Sequence, residues 1–279
     1  FQIYQGSLTI GNDTYFRQDH HTLLVQVGNL EVGTNSTFYR YGGSTYVRNG
    51  DLIIGDNSTY QIQSHTQVNN GSVIMGQDAA YIGYGGYNNQ IWNGDFTLGA
   101  NTTYNSQGHT YIYTGTFNWD NSNSIINSGT IYLNNGDFHL TAGVSFNSTG
   151  SLQALNGSLI VDAGVTATIR GNVQLTNGTI DLDPTATLDW WTDLYLRSNQ
   201  SGGQYDIDAG GRDFKRIQFD GSNYNTEYDF IDDVVASSDG IFMYANKINF
   251  NGHGVDVARF YSWTGGEVWM DLTGTDTVF

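Results

Sequence analysis

One phrase returns along most of the chain: glycine, a small polar residue, then an apolar–x–apolar pair. It reads Gly6-Ser7-Leu8-Thr9-Ile10, Gly28-Asn29-Leu30-Glu31-Val32 and Gly50-Asp51-Leu52-Ile53-Ile54. It comes back at Gly71, Gly94, Gly115, Gly136, Gly157 and Gly178. Successive glycines lie 22, 22, 21, 23, 21, 21, 21 and 21 residues apart. A fixed period of this length belongs to stacked supersecondary units rather than to one ordinary globular core.

Within one period the alternation has the two-residue step of a strand. Leu8 and Ile10 face one way, Ser7 and Thr9 the other. Gly11-Asn12-Asp13-Thr14-Tyr15 then reads as a corner and a second short strand, and Thr22–Val27 as a third. Gly and Asn suit corners that need positive φ. Three short strands in 21–23 residues are the coil of a parallel β-helix, an all-β fold in which each coil completes its core only against its neighbours. Nine coils at a spacing of ~4.8 Å would span roughly 40 Å. The return of one motif, rather than of bare turn signals, disfavours an antiparallel sandwich. We assign residues 1–188 to solenoid repeats. Residues 189–279 form an atypical C-terminal β region, either a cap and assembly region or an irregular continuation of the solenoid.

Aromatic and β-branched residues supply buried surface to every coil, and helix formers are sparse. The net charge of −17, with only 10 Lys and Arg, excludes nucleic acid as a partner, because phosphate neutralisation needs a basic face. It equally disfavours an anionic membrane surface. No apolar run approaches the ~20 residues of a membrane-spanning helix, so no membrane insertion is expected. There is no cysteine, which fits an exported prokaryotic protein whose continuous core needs no disulfides. The chain begins at Phe1 inside a strand-like stretch and reads as a mature or excised segment of a longer precursor.

Candidate chemistry is thin. The pairs Asp181/Asp183 and Asp206/Asp208 would place two carboxylates on one strand face, an arrangement that can hold Ca²⁺. The calcium-roll pattern is missing, since Gly210-Gly211-Arg212-Asp213 does not satisfy it. Neither a catalytic constellation nor any other cofactor is indicated, and basic residues to serve a polysaccharide lyase are few before residue 189. His65 and His109 precede threonines at related positions and are read as solvent-facing. Asn-x-Ser/Thr sequons stand at Asn12, Asn35, Asn57, Asn70, Asn101, Asn147, Asn156, Asn177 and Asn199. They are acceptors for glycans in a host with the machinery, although Asn at a tight corner needs no glycan to explain it. Thr166-Ala167-Thr168 and Thr185-Ala186-Thr187 are too short and isolated for a flat ice-binding array.

Three C-terminal stretches carry a likeness to known proteins: Gly210-Gly211-Arg212-Asp213-Phe214, Ile217-Gln218-Phe219-Asp220-Gly221 and Phe250-Asn251-Gly252-His253-Gly254-Val255-Asp256-Val257. This region resembles a module of very large repetitive bacterial surface proteins, β-solenoids of the adhesin, haemagglutinin and autotransporter-passenger class. The resemblance implies an exported, surface-associated solenoid, and that class has no shared catalytic residues to carry over. The expected role is therefore mechanical: a subunit of an extracellular filament that assembles head-to-tail with copies of itself. The strand Phe1-Gln2-Ile3-Tyr4 would add to a neighbour's C-terminal strands around Trp263, Trp269 and Phe279. An adhesin or stalk module that binds surface glycans is the alternative, with Tyr81-Ile82-Gly83-Tyr84-Gly85-Gly86-Tyr87-Asn88-Asn89 as its best segment. A polysaccharide-active β-helix enzyme is a third reading.

Overall fold

The computed structural model describes residues 1–119, 125–141, 145–148, 150–190, 192–221, 226–244, 246–262, 268–271 and 273. Among them there is no helix. The chain winds as a β-solenoid whose strands pair in parallel with the coil before and the coil after. A first sheet of 13 strands runs from Gln2–Ile3 to Phe260–Ser262. A second, also of 13, runs from Leu8–Ile10 to Val268–Asp271. The third side holds nine strands, from Tyr15–Asp19 to Thr187–Trp190. Beyond residue 190 the first two sheets continue without a break. The third side passes to a separate two-stranded sheet, Val234–Ala236 with Val255–Val257.

Each letter of the sequence phrase has a job at the corner between the first and second sheets. The glycines stack in a column with almost no room between them. A Cβ added at Gly50, Gly115 or Gly178 would lie 2.2, 2.1 or 1.8 Å from the carbonyl oxygen of the preceding glycine in the column. The small polar residue that follows ties coils together. Its side-chain oxygen accepts the backbone N–H of its counterpart one coil later: Asn29 from Asp51 at 3.0 Å, Asp51 from Ser72 at 2.8 Å, Asp95 from Thr116 at 2.7 Å. The residue before the glycine adds a ladder of amides. Asn70 donates to Asn49 and Asn93 to Asn70, both at 2.9 Å. Asn156 donates to Asn135 and Asn177 to Asn156 at 3.1 and 2.8 Å. The apolar–x–apolar pair then fills the interior, as Leu30 and Val32, Leu52 and Ile54, or Phe96 and Leu98.

On the third side the inward rings pile into one column. Phe16, Phe38, Tyr60, Tyr81 and Tyr104 follow one another with centroids 5.0 to 5.4 Å apart. The hydroxyls of the three tyrosines are buried and must find partners inside. A polar seam along the neighbouring corner supplies them. Tyr60 bonds Thr66 at 3.3 Å, Tyr81 donates to Thr66 at 3.1 Å and to Asn89, and Asn89 donates to Tyr104 at 2.9 Å and to Ser106 at 3.1 Å. Arg40 closes the seam, wholly buried, donating to the Thr45 hydroxyl and the His21 carbonyl.

Candidate binding face

Register decides which side chains share the outer face of the first sheet. One outward row reads Tyr46, Gln67, Gln90, Tyr111, Tyr132, Gln153, Gln174 and Tyr195 in successive coils. Beside it lie Trp92, Tyr113, Asn134, Leu155 and Thr176. Parallel in-register strands ~4.8 Å apart bring like rings face to face. Tyr111 stacks on Tyr132 at 4.8 Å with 5° between the planes, and Trp92 on Tyr113 at 4.4 Å with 20°. The exposed His109 sets its ring edge-on to Tyr132 at 5.7 Å. Desolvation and the neighbouring phenols Tyr132 and Tyr113 push the Tyr111 hydroxyl above its ordinary range.

Both stacks end abruptly. After Tyr132 the row drops to Gln153, and after Tyr113 to Asn134. The step leaves a recess of about 360 Å³ in this face, with Tyr111, Tyr113 and Tyr132 at one end. Gln153, Gln174, Asn134 and Thr176 offer donors and acceptors there, and Leu155 offers apolar surface. No charged side chain lines it. Trp92 on the same face is 42% exposed. These residues escaped the sequence reading, although the signal was present: Trp92 to Tyr113 and Tyr111 to Tyr132 are both steps of 21 residues, the repeat length itself.

The segment expected to bind sugars is divided by the structure. Tyr81 lies in the core ring column, 1% exposed, so it is no surface ring; its inward place follows from pairing with Tyr60 and Tyr104. Tyr84 and Tyr87 do lie outside, and Tyr87 packs against His65. His65 and His109 are exposed at equivalent corner positions, where Nδ1 accepts the next coil's backbone N–H from Asn88 and Thr130.

The acidic pairs are arranged across coils as well as along strands. Asp181 registers with Asp208, and Asp206 with Asp229. The Asp183 carboxylate instead accepts the amide and hydroxyl of Thr185, which hold it below its ordinary range. Among the described residues no three His, Asp or Glu side chains gather as a metal site.

The sequons fall into two structural rows. Asn35, Asn57 and Asn101 occupy a left-handed corner, φ 56°, 54° and 55°. Asn12 sits one position earlier, because Asp13 takes the left-handed place in that coil. Asn70, Asn156, Asn177 and Asn199 belong to the amide ladder. The side chain of Asn147 lies outside the described residues. At the N-terminus Gln2–Ile3 is laddered to Leu23–Val25 of its own second coil. Phe1 and Tyr4 are exposed. Trp269 lies on the strand Val268–Asp271, opposite Lys247, while Trp263 and Phe279 fall outside the described residues.

Compared with protein-family models, with curated proteins and with solved structures, the chain gives no match to any of them. The fold alone defines its class, a parallel β-solenoid built from repeated coils.

Proposed function

We propose that this chain is a rigid, non-enzymatic stalk of an extracellular or cell-surface structure, of the adhesin kind. The observation that carries this reading is the unbroken pair of 13-stranded parallel sheets, reinforced at one corner by side-chain ladders that run along the axis. Such a body resists bending and presents long flat sides, as a spacer or display element requires. The acidity, the absence of cysteine and the resemblance of residues 210–257 to surface solenoids support an exported location. The test is surface biotinylation and immunogold labelling of intact producing cells. Labelling before lysis is expected; labelling only after lysis overturns the proposal.

Head-to-tail assembly into filaments is favoured by one further property. In a parallel solenoid the upper edge of any coil is complementary to the lower edge of any other, so copies can continue each other's sheets. Fibres in electron micrographs of concentrated protein, lost on deletion of residues 1–5, are the expected result. Discrete rods at every concentration remove the filament and leave the stalk.

A further inference from the structure

We propose that the recess beside Tyr132 is a binding site for a neutral glycan. One pyranose stacks on the free face of the Tyr132 ring, with its hydroxyls on Gln153, Gln174 and Asn134. Where the glycan is met rests on the stalk reading; the binding itself does not.

Three observations select this ligand. First, the recess is uncharged in a chain of net charge −17. An anionic ligand meets the repulsion of the whole molecule, and a cationic one finds no carboxylate in the recess to pair with. Second, the lining mixes two chemistries at close quarters. Tyr132 and Leu155 present apolar surface, while Gln153, Gln174, Asn134 and Thr176 present polar groups. A sugar ring has the matching anatomy, with C–H groups on its faces and hydroxyls around its rim. Amides suit hydroxyls because both donate and accept. Third, the volume of about 360 Å³ lies in the range of small-ligand sites.

The test is calorimetric titration of the purified full chain with neutral gluco-, manno- and chito-oligosaccharides, and with oligogalacturonate as the acidic comparison. Neutral oligosaccharides are expected to bind and the acidic one not. Tyr132→Ala should weaken binding about tenfold or more and Tyr132→Phe by less than about twofold, because the ring face carries the contact. Gln153→Ala should weaken binding, and Tyr46→Ala, on the same row but remote from the recess, should leave it unchanged. Circular dichroism confirms that each variant is folded.

Binding that survives Tyr132→Ala places the glycan elsewhere and overturns the proposal. So does acidic-only binding, or a Tyr132-dependent dimer in sedimentation with no sugar bound, which makes the face a contact between copies. Surface-labelled cells with no binding by the pure chain would retain the stalk and discard the site. Binding by a protein found only inside cells would do the reverse.

Discussion

Arg40 is the strangest occupant of the core. Its side chain is wholly buried, no carboxylate among the described residues pairs with it, and Nε has no hydrogen-bond partner. Desolvation holds its basicity below the ordinary range. A buried charge without a counter-ion contributes little stability, and an apolar residue of similar volume often does as well or better. Arg40→Met should therefore leave the urea midpoint unchanged or raise it, whereas Arg40→Ala, which opens a cavity, should cost about 2–4 kcal/mol. The buried phenols give a second test. Burial raises the hydroxyls of Tyr60, Tyr81, Tyr104 and Tyr228 above the ordinary value of 10.0. Their unfolded counterparts lose protons at lower pH, so the folded chain binds more protons once the pH passes about 10. Stability is thus fully present below that pH and falls as pH rises above it. In a spectrophotometric titration these four rings should ionise only together with the loss of β circular dichroism.

At the level of strands and corners, the glycine column is the most demanding feature. At Gly115 a Cβ would sit 2.1 Å from the carbonyl oxygen of Gly94, and backbone cannot yield as a side-chain tip can. Gly115→Ala should cost about 1–3 kcal/mol or more, measured by chemical denaturation, while Gly164→Ala, in open space though at positive φ, should cost less. The sequon rows divide in the same physical terms. A ladder amide such as Asn156 donates its Nδ2 to Asn135 at 3.1 Å, and glycosylation would compete with that bond. Asn57 and Asn101 are exposed at the opposite corner. In a glycosylating host, glycopeptide mass spectrometry should find sugar at Asn57 and Asn101 and little at Asn156 or Asn177. The column, the coil length and the inward pairs were all legible in the sequence, because each is a local demand repeated in every coil. The recess was not. The outward place of Tyr132 follows from the alternation Ile131-Tyr132-Leu133, but that Gln153 and Asn134 stand where the rings stop depends on the register of neighbouring coils.

Over the whole molecule, two sides of the prism are continuous and the third changes hands. The nine-stranded sheet ends at Thr187–Trp190, where the Trp190 ring packs edge-on to Phe214 at 5.1 Å. Among the described residues, one isolated bridge between Asp213 and Val235 and a two-stranded sheet carry that side onward. Short ladders open more readily than long ones. Hydrogen exchange should therefore be faster at Val234–Ala236 than at Thr103–Ser106, although both segments carry buried apolar or aromatic side chains. Equal protection would show that the third side is as firmly laddered after residue 190 as before it.

The relay of small polar side chains at the glycine corner has a consequence for how such rods change length. Along most of the relay the side-chain oxygen takes the N–H of the coil that follows, from Ser7 to Asn29, Asn29 to Asp51, Asp51 to Ser72 and onward. A coil in the relay therefore offers the same chemistry upward that it asks for below. Duplication of one whole period in the gene inserts a layer that both neighbours already know how to meet, and the tip moves by one strand spacing. Insertion of half a period breaks the relay, the glycine column and the interior together. Selection can then adjust reach in whole steps, as with a ruler, while the contacts within every layer stay as they were.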